Sequence, residues 1–303
     1  MMHAGAGDPE PTLRAGEARI GAVLGRVPPT LLMLLSIVSV QLGSALATVL
    51  FTDLGPGGTA LAEVGFSALV LSLMSRPRLD RRLVQHAGLI LLFGLSLVAM
   101  LLPFFVALQY IPLGIASMIA FLGPLTLAVV TSRRLMHFMW IGLAIAGLAL
   151  LTPEIGADLD PFGLFVAAIS AVGWAAFVPI SKRAGRVFDS VSGLTLGMYV
   201  ATVMMIPYAL FEGTILGAGL LPLGGAFVVA MLATVLPMAM EFQALQHMSA
   251  RTYGILLTLE PAAGSLVGAI FLGQVMGGRM LLAITCVTIA ALGVTMFEKQ
   301  GDR

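Results

Sequence analysis

Three acids interrupt apolar runs: Glu63, Glu241 and Glu260. Glu260 is the only ionisable residue of LTLEPAAGSLVGAIFLG, residues 257–273, and Pro261 follows it directly. A proline has no N–H to donate, so it frees a carbonyl one turn earlier. Carboxylate and freed carbonyl together suit an ammonium group or a transferable proton. The alternative is a neutral glutamic acid bonded to nearby backbone, pinning its helix at a kink. Glu241, four residues after Pro237, offers a second seat for an amine. Its alternative is an interfacial acid paired with Arg251, or one resting at the N-terminus of the next helix. Glu63 lies near the outer end of its apolar run and reads as interfacial.

Neutral polar residues add stripes. Gln41, Ser44 and Thr48 share one helix face at i, i+3 and i+7. Ser170, Trp174, Phe177 and Ser181 form a similar stripe, with Ser96, Ser117 and Thr234 as weaker instances. Polar tips on an apolar wall can hold a small zwitterion; the same residues also serve as hydrogen bonds between helices. Gly264 and Gly268 form a GxxxG packing face.

Positioning these residues requires helices in lipid. The chain is 59% hydrophobic and 10% charged, against roughly a quarter charged in a soluble domain. Crossing about 30 Å of hydrocarbon takes about 20 apolar residues. On that basis ten spans are expected: 30–50, 58–75, 86–108, 112–131, 136–152, 161–181, 191–211, 219–243, 252–273 and 279–297. Glu260 is then the deepest acid, about 12 Å into its span at 1.5 Å per residue. Residues 1–29 read as a polar cytoplasmic tail, 153–160 as an outer linker and 298–303 as a cytoplasmic C-terminus. With the N-terminus inside, every Lys and Arg except Arg279 falls on the cytoplasmic side, as basic residues near span ends do. Asp53, Glu154, Asp158, Asp160 and Glu212 fall outside.

The chain also echoes itself. ALQ at 107–109 recurs at 244–246, and Pro124 recurs as Pro261 at the same offset. The repeat sets 30–152 over 161–297. Each half holds an odd number of spans, so the second enters the membrane inverted. The expected fold is an all-α membrane protein of two inverted five-helix repeats around a central cavity, an architecture of secondary transporters. Pro124, Pro237 and Pro261 are the candidate hinges.

PLGIASMIAFLGPL at 112–125, SRR at 132–134 and PMAMEFQALQHMSARTYGILLTLEPAAGSLVGAIFLG at 237–273 resemble the drug/metabolite transporter superfamily. They are most similar to its EamA-type amino-acid exporters, the threonine/homoserine group in particular. The resemblance implies a ten-helix inverted-repeat carrier of the bacterial inner membrane, exporting amino acids or related metabolites by alternating access. The cavity it implies is lined by spans one, three, four, six, eight and nine. This chain departs from the pattern at three places. Gln274 follows FLG where the group has Glu, Ala120-Phe121-Leu122 replaces an acidic position before GP, and Ala62-Glu63 stands where a basic residue is usual. Those departures leave the substrate open, with drugs, sugars or nucleotide sugars as alternative cargo and a passive channel as the rival mechanism.

Other chemistries lack their motifs. There is no GxxxxGK[ST] phosphate loop and no HExxH or GxSxG. The histidines are scattered, and Cys286 is the only cysteine, so no intrachain disulfide can form. The reading is a non-enzyme without cofactor or metal, whose partners are lipid and a small-molecule substrate, not nucleic acid. Protons are the candidate coupling ion, through Glu260 or Glu241.

Overall fold

The computed structural model describes residues 27–75, 81–130, 135–150, 159–188, 190–245, 247–248, 253 and 256–297. The regular elements among them are helices, because a backbone without water must satisfy its own N–H and C=O groups. In chain order these are α1 (Pro29–Val49), α2 (Phe51–Ser75), α3 (Ala87–Ala107), α4 (Leu113–Val130), α5 (Leu135–Ala149), α6 (Pro161–Val187) and α7 (Ser190–Glu212). Next comes α8, one run made of Leu220–Ala230, a π turn over Met231–Val235, and Leu236–Leu245. Then follow α9 (Glu260–Phe271) and α10 (Gly278–Phe297). Short helical turns at Arg81–Gln85 and Thr214–Gly217 join them.

Six segments among the described residues are long and apolar enough to cross a membrane: Pro29–Val49, Phe51–Ser75, Ala87–Ala107, Pro161–Val187, Val191–Glu212 and Leu220–Glu241. Their large apolar residues divide between two environments. Leu32, Leu54, Leu97, Leu113 and Met118 are buried, whereas Leu73, Leu91, Val203, Phe211 and Ile270 are exposed. Exposed apolar surface on this scale belongs against lipid. The molecule is a multi-pass membrane protein.

Two elements differ from the spans expected of the sequence. The segment 58–75 is preceded by helix from Phe51, broken at Gly55, whose φ of 66° suits a residue without Cβ. Within the expected span 252–273, helical residues at Tyr253, Leu256 and Leu257 are separated from the helix Glu260–Phe271 by a turn at Thr258 and Leu259. Leu259 donates its N–H to the Leu256 carbonyl in a turn, and Pro261 takes the first turn of α9. There its missing N–H leaves no intrahelical bond unmade.

The packing is reciprocal. α3 lies on α6 and α8 on α1; α4 lies on α6 and α9 on α1; α3 lies on α7 and α8 on α2. α2 also meets α7, α4 meets α9, and α5 meets α10. Close crossings rest on small residues: a Cβ on Gly43 would lie 2.8 Å from Ala233, and one on Gly173 would run into the backbone of Ala99.

Candidate functional site

Where α1, α4 and α9 meet, the packing encloses a polar cluster. Gln41 of α1 donates from Nε2 to the Glu260 carbonyl at 3.4 Å. Ser117 of α4 donates to Gln41 Oε1 at 3.2 Å. Gly264 makes room for both: a Cβ there would lie 2.9 Å from Ser117 Oγ and 3.0 Å from Gln41 Oε1. One turn from Glu260, Ser265 donates to the Pro261 carbonyl at 2.7 Å. Gln41, Ser117, Glu260 and Ser265 are all buried. The break before α9 thus brings a main-chain carbonyl, an amide and a hydroxyl together inside the protein.

A second centre joins α1 to α8. Ser36 donates to Glu241 Oε1 at 2.7 Å, and the Tyr253 hydroxyl donates to Oε2 at 2.7 Å. Both carboxyl oxygens are therefore held by neutral hydroxyls. Arg251, the partner expected from sequence, lies outside the described residues. Glu241 and Tyr253 are each within electrostatic reach of Glu260, so the two centres are neighbours.

The third centre corrects an expectation. Glu63 is not interfacial: the residue is 2% exposed, and its Oε1 accepts from Thr234 at 2.7 Å. The cause is the contact of α2 with α8, which turns this face of α2 into the protein. Glu63 Oε2 and Ser67 Oγ are buried without a hydrogen-bond partner. A signal for this face was present in the sequence, since Thr59, Glu63 and Ser67 recur at i, i+4 and i+8, and all three are buried.

The other candidates do different work. Ser170 donates to the Met100 carbonyl at 2.6 Å, tying α6 to α3. Ser96 bonds its own helix at Phe93 O, and Thr48 and Ser181 likewise bond within theirs. Ser44 is buried on α1, and Trp174 meets Phe121 edge-on at 6.0 Å. Pro124 is interior to α4, and Pro237 follows the π turn by two residues. Gln274, which sequence reasoning noted only as a departure, accepts from the Leu113 N–H at 3.1 Å. It serves the first turn of α4, where helical N–H groups lack intrahelical acceptors.

Comparison with known proteins follows this geometry. Residues 161–296 match the model of the EamA-like transporter family. The threonine/homoserine exporter RhtA of Salmonella typhimurium is 34% identical over 274 residues, covering 88% of this chain and 91% of its own. The protein of the same name from Escherichia coli K12 is 33% identical over 280 residues, covering 91% of this chain and 94% of its own. One solved crystal structure, at 18% identity, superposes with a TM-score of 0.56 over 88% of this chain and 97% of its own. At that identity it speaks for the fold alone.

Proposed function

Because the chain belongs to the EamA-like transporter family, of the drug/metabolite transporter superfamily, we propose that it is a secondary carrier that exports threonine-like amino acids or related small metabolites. The observation that carries this is the similarity to threonine/homoserine exporters along nearly the whole chain. The buried cluster of Gln41, Ser117 and Glu260 gives the reading its chemistry. Glu260 answers the substrate ammonium, while the Gln41 amide and Ser117 hydroxyl answer its carboxylate. Glu241, held between Ser36 and Tyr253, receives the amine on the way in.

The proposed frame is ten helices in two inverted repeats, with cytoplasmic termini in the inner membrane. Two pairs of contacts support it. Ser39 of α1 donates to the Leu232 carbonyl of α8 at 2.7 Å, as Ser170 of α6 donates to the Met100 carbonyl of α3. Gly43 and Gly173 sit beside these bonds at the same two crossings. In each case the first helix of one half grips the middle of the third helix of the other. Two similar halves give two states of similar energy, as alternating access requires. The asymmetry of basic residues supports the orientation.

Counterflow into proteoliposomes tests the reading with labelled threonine, homoserine, a sugar and a cationic dye. Saturable exchange of the amino acids is expected. Exchange of only sugar or dye would overturn the substrate class, and flux without counterflow would make the protein a channel.

A further inference from the structure

The Glu63 centre is unused by this reading, and its geometry is unusual. The carboxyl is enclosed, one oxygen is held by Thr234, and the other has no partner. One helical turn on, on the same face, Ser67 Oγ is also buried and unpartnered. An ionised carboxylate here would be a buried charge with a single neutral donor, an arrangement proteins avoid. Among the described residues, α1, α3, α7 and α8, which pack on α2, carry no Lys or Arg. Their titratable groups are Tyr199, Tyr208, Glu212 and Glu241, with Asp53 on α2 itself. Tyr199 donates to Ser72, Glu212 accepts from the N–H groups of Gly57 and Gly58, and Glu241 is held by Ser36 and Tyr253.

The neutral acid fits where the anion does not. With its hydrogen on Oε2, the carboxyl is uncharged, while Oε1 keeps the bond from Thr234. Thr234 belongs to the π turn of α8, and Pro237 follows closely. A π turn and a proline both interrupt the regular helical ladder, so α8 bends most readily here. The Glu63–Thr234 bond spans the two halves of the chain, so any movement of one half against the other must act on it.

We propose that Glu63 is the proton-carrying residue of the transport cycle. It holds a proton while Thr234 and α8 enclose it. When α8 moves and water enters, the O–H bond breaks, the proton goes to water, and the carboxylate remains until it is reprotonated from the other side. The inference rests on the carrier reading above, to which it adds the coupling ion and its seat.

The test uses full-length protein in proteoliposomes, comparing wild type with Glu63→Gln, which mimics the neutral acid. Substrate counterflow is measured without a gradient. Accumulation is then measured under an imposed pH gradient, with a trapped pH dye following proton flux. For one-to-one exchange, wild type should concentrate substrate about tenfold per pH unit. E63Q should keep counterflow yet accumulate nothing and move no protons. Retained gradient response in E63Q, loss of counterflow along with it, or a wild type driven by sodium or by no gradient would overturn the proposal. If wild type exchanges only the sugar or dye, the substrate reading fails, and the same comparison with that cargo still decides Glu63.

If E63Q does not reach the membrane, dicyclohexylcarbodiimide supplies the answer on wild type. It adds to enclosed, protonated carboxyls to leave an acylurea, and peptide mapping locates the adduct. Modification of Glu63 that fades at alkaline pH is expected; its absence at acidic pH would overturn the proposal.

Discussion

At Glu260 the main chain and the carboxyl have separate tasks. Its carbonyl takes the Gln41 amide, while the side chain is buried with the rest of the residue. Glu260→Gln keeps the shape and the backbone contact and removes only the capacity to ionise. Transport should therefore fall at least about tenfold, the scale of a lost charge-assisted contact of about 1.5–3 kcal/mol, with thermal stability in detergent unchanged. Equal transport rates would remove Glu260 from the substrate's path. Tyr253→Phe deletes one of the two hydroxyls on Glu241; a loss of about 1 kcal/mol should appear as a several-fold rise in substrate KM with little change in kcat. The acids themselves were legible in the sequence, because a carboxyl in an apolar run stands out. The location of Glu63 was not, because distance from a span's end does not tell which face of the helix is covered.

At the scale of elements, close approach decides what the polar groups can reach. Gly264 sits against the tips of Ser117 and Gln41, both able to yield. Gly264→Ala should fold normally but part the two side chains, lowering transport several-fold. Gly43 instead faces backbone: a Cβ would lie 2.8 Å from both the nitrogen and the Cβ of Ala233. A backbone cannot swing aside, so Gly43→Ala should cost about 1–3 kcal/mol by overpacking, read as a lower melting temperature in detergent. A mutant as stable as wild type would show that this crossing has slack. The helices were foreseeable from apolar run length. The π turn in α8 and the break before α9 were not, since both answer to partners distant in sequence. Ser36 and Ser39 point their hydroxyls to the residues around the π turn, and Gln41 meets the first carbonyl of α9.

On the scale of the whole molecule, α1–α8 contacts at one end and α2–α7 contacts at the other set two closures against each other. At the end where α1 begins, Ser36, Glu241 and Tyr253 tie the halves together. At the end where α2 begins, Glu212 accepts from the Gly57 N–H at 2.9 Å and Thr214 donates to the Leu54 carbonyl at 2.6 Å. In the orientation proposed above, the second closure lies on the outer side. A carrier opens one side at a time, so weakening one closure shifts the population toward the state open there. In a Cys286→Ser background, a cysteine replacing Ser117 reports access to the cluster from either side. Glu212→Ala should speed its labelling by an impermeant thiol reagent added outside, and Glu241→Ala should slow it. Removing a Gly57 acceptor worth about 1 kcal/mol predicts a several-fold change. Labelling that rises in both mutants would describe a pore loosened at each end, and would leave alternating access without support.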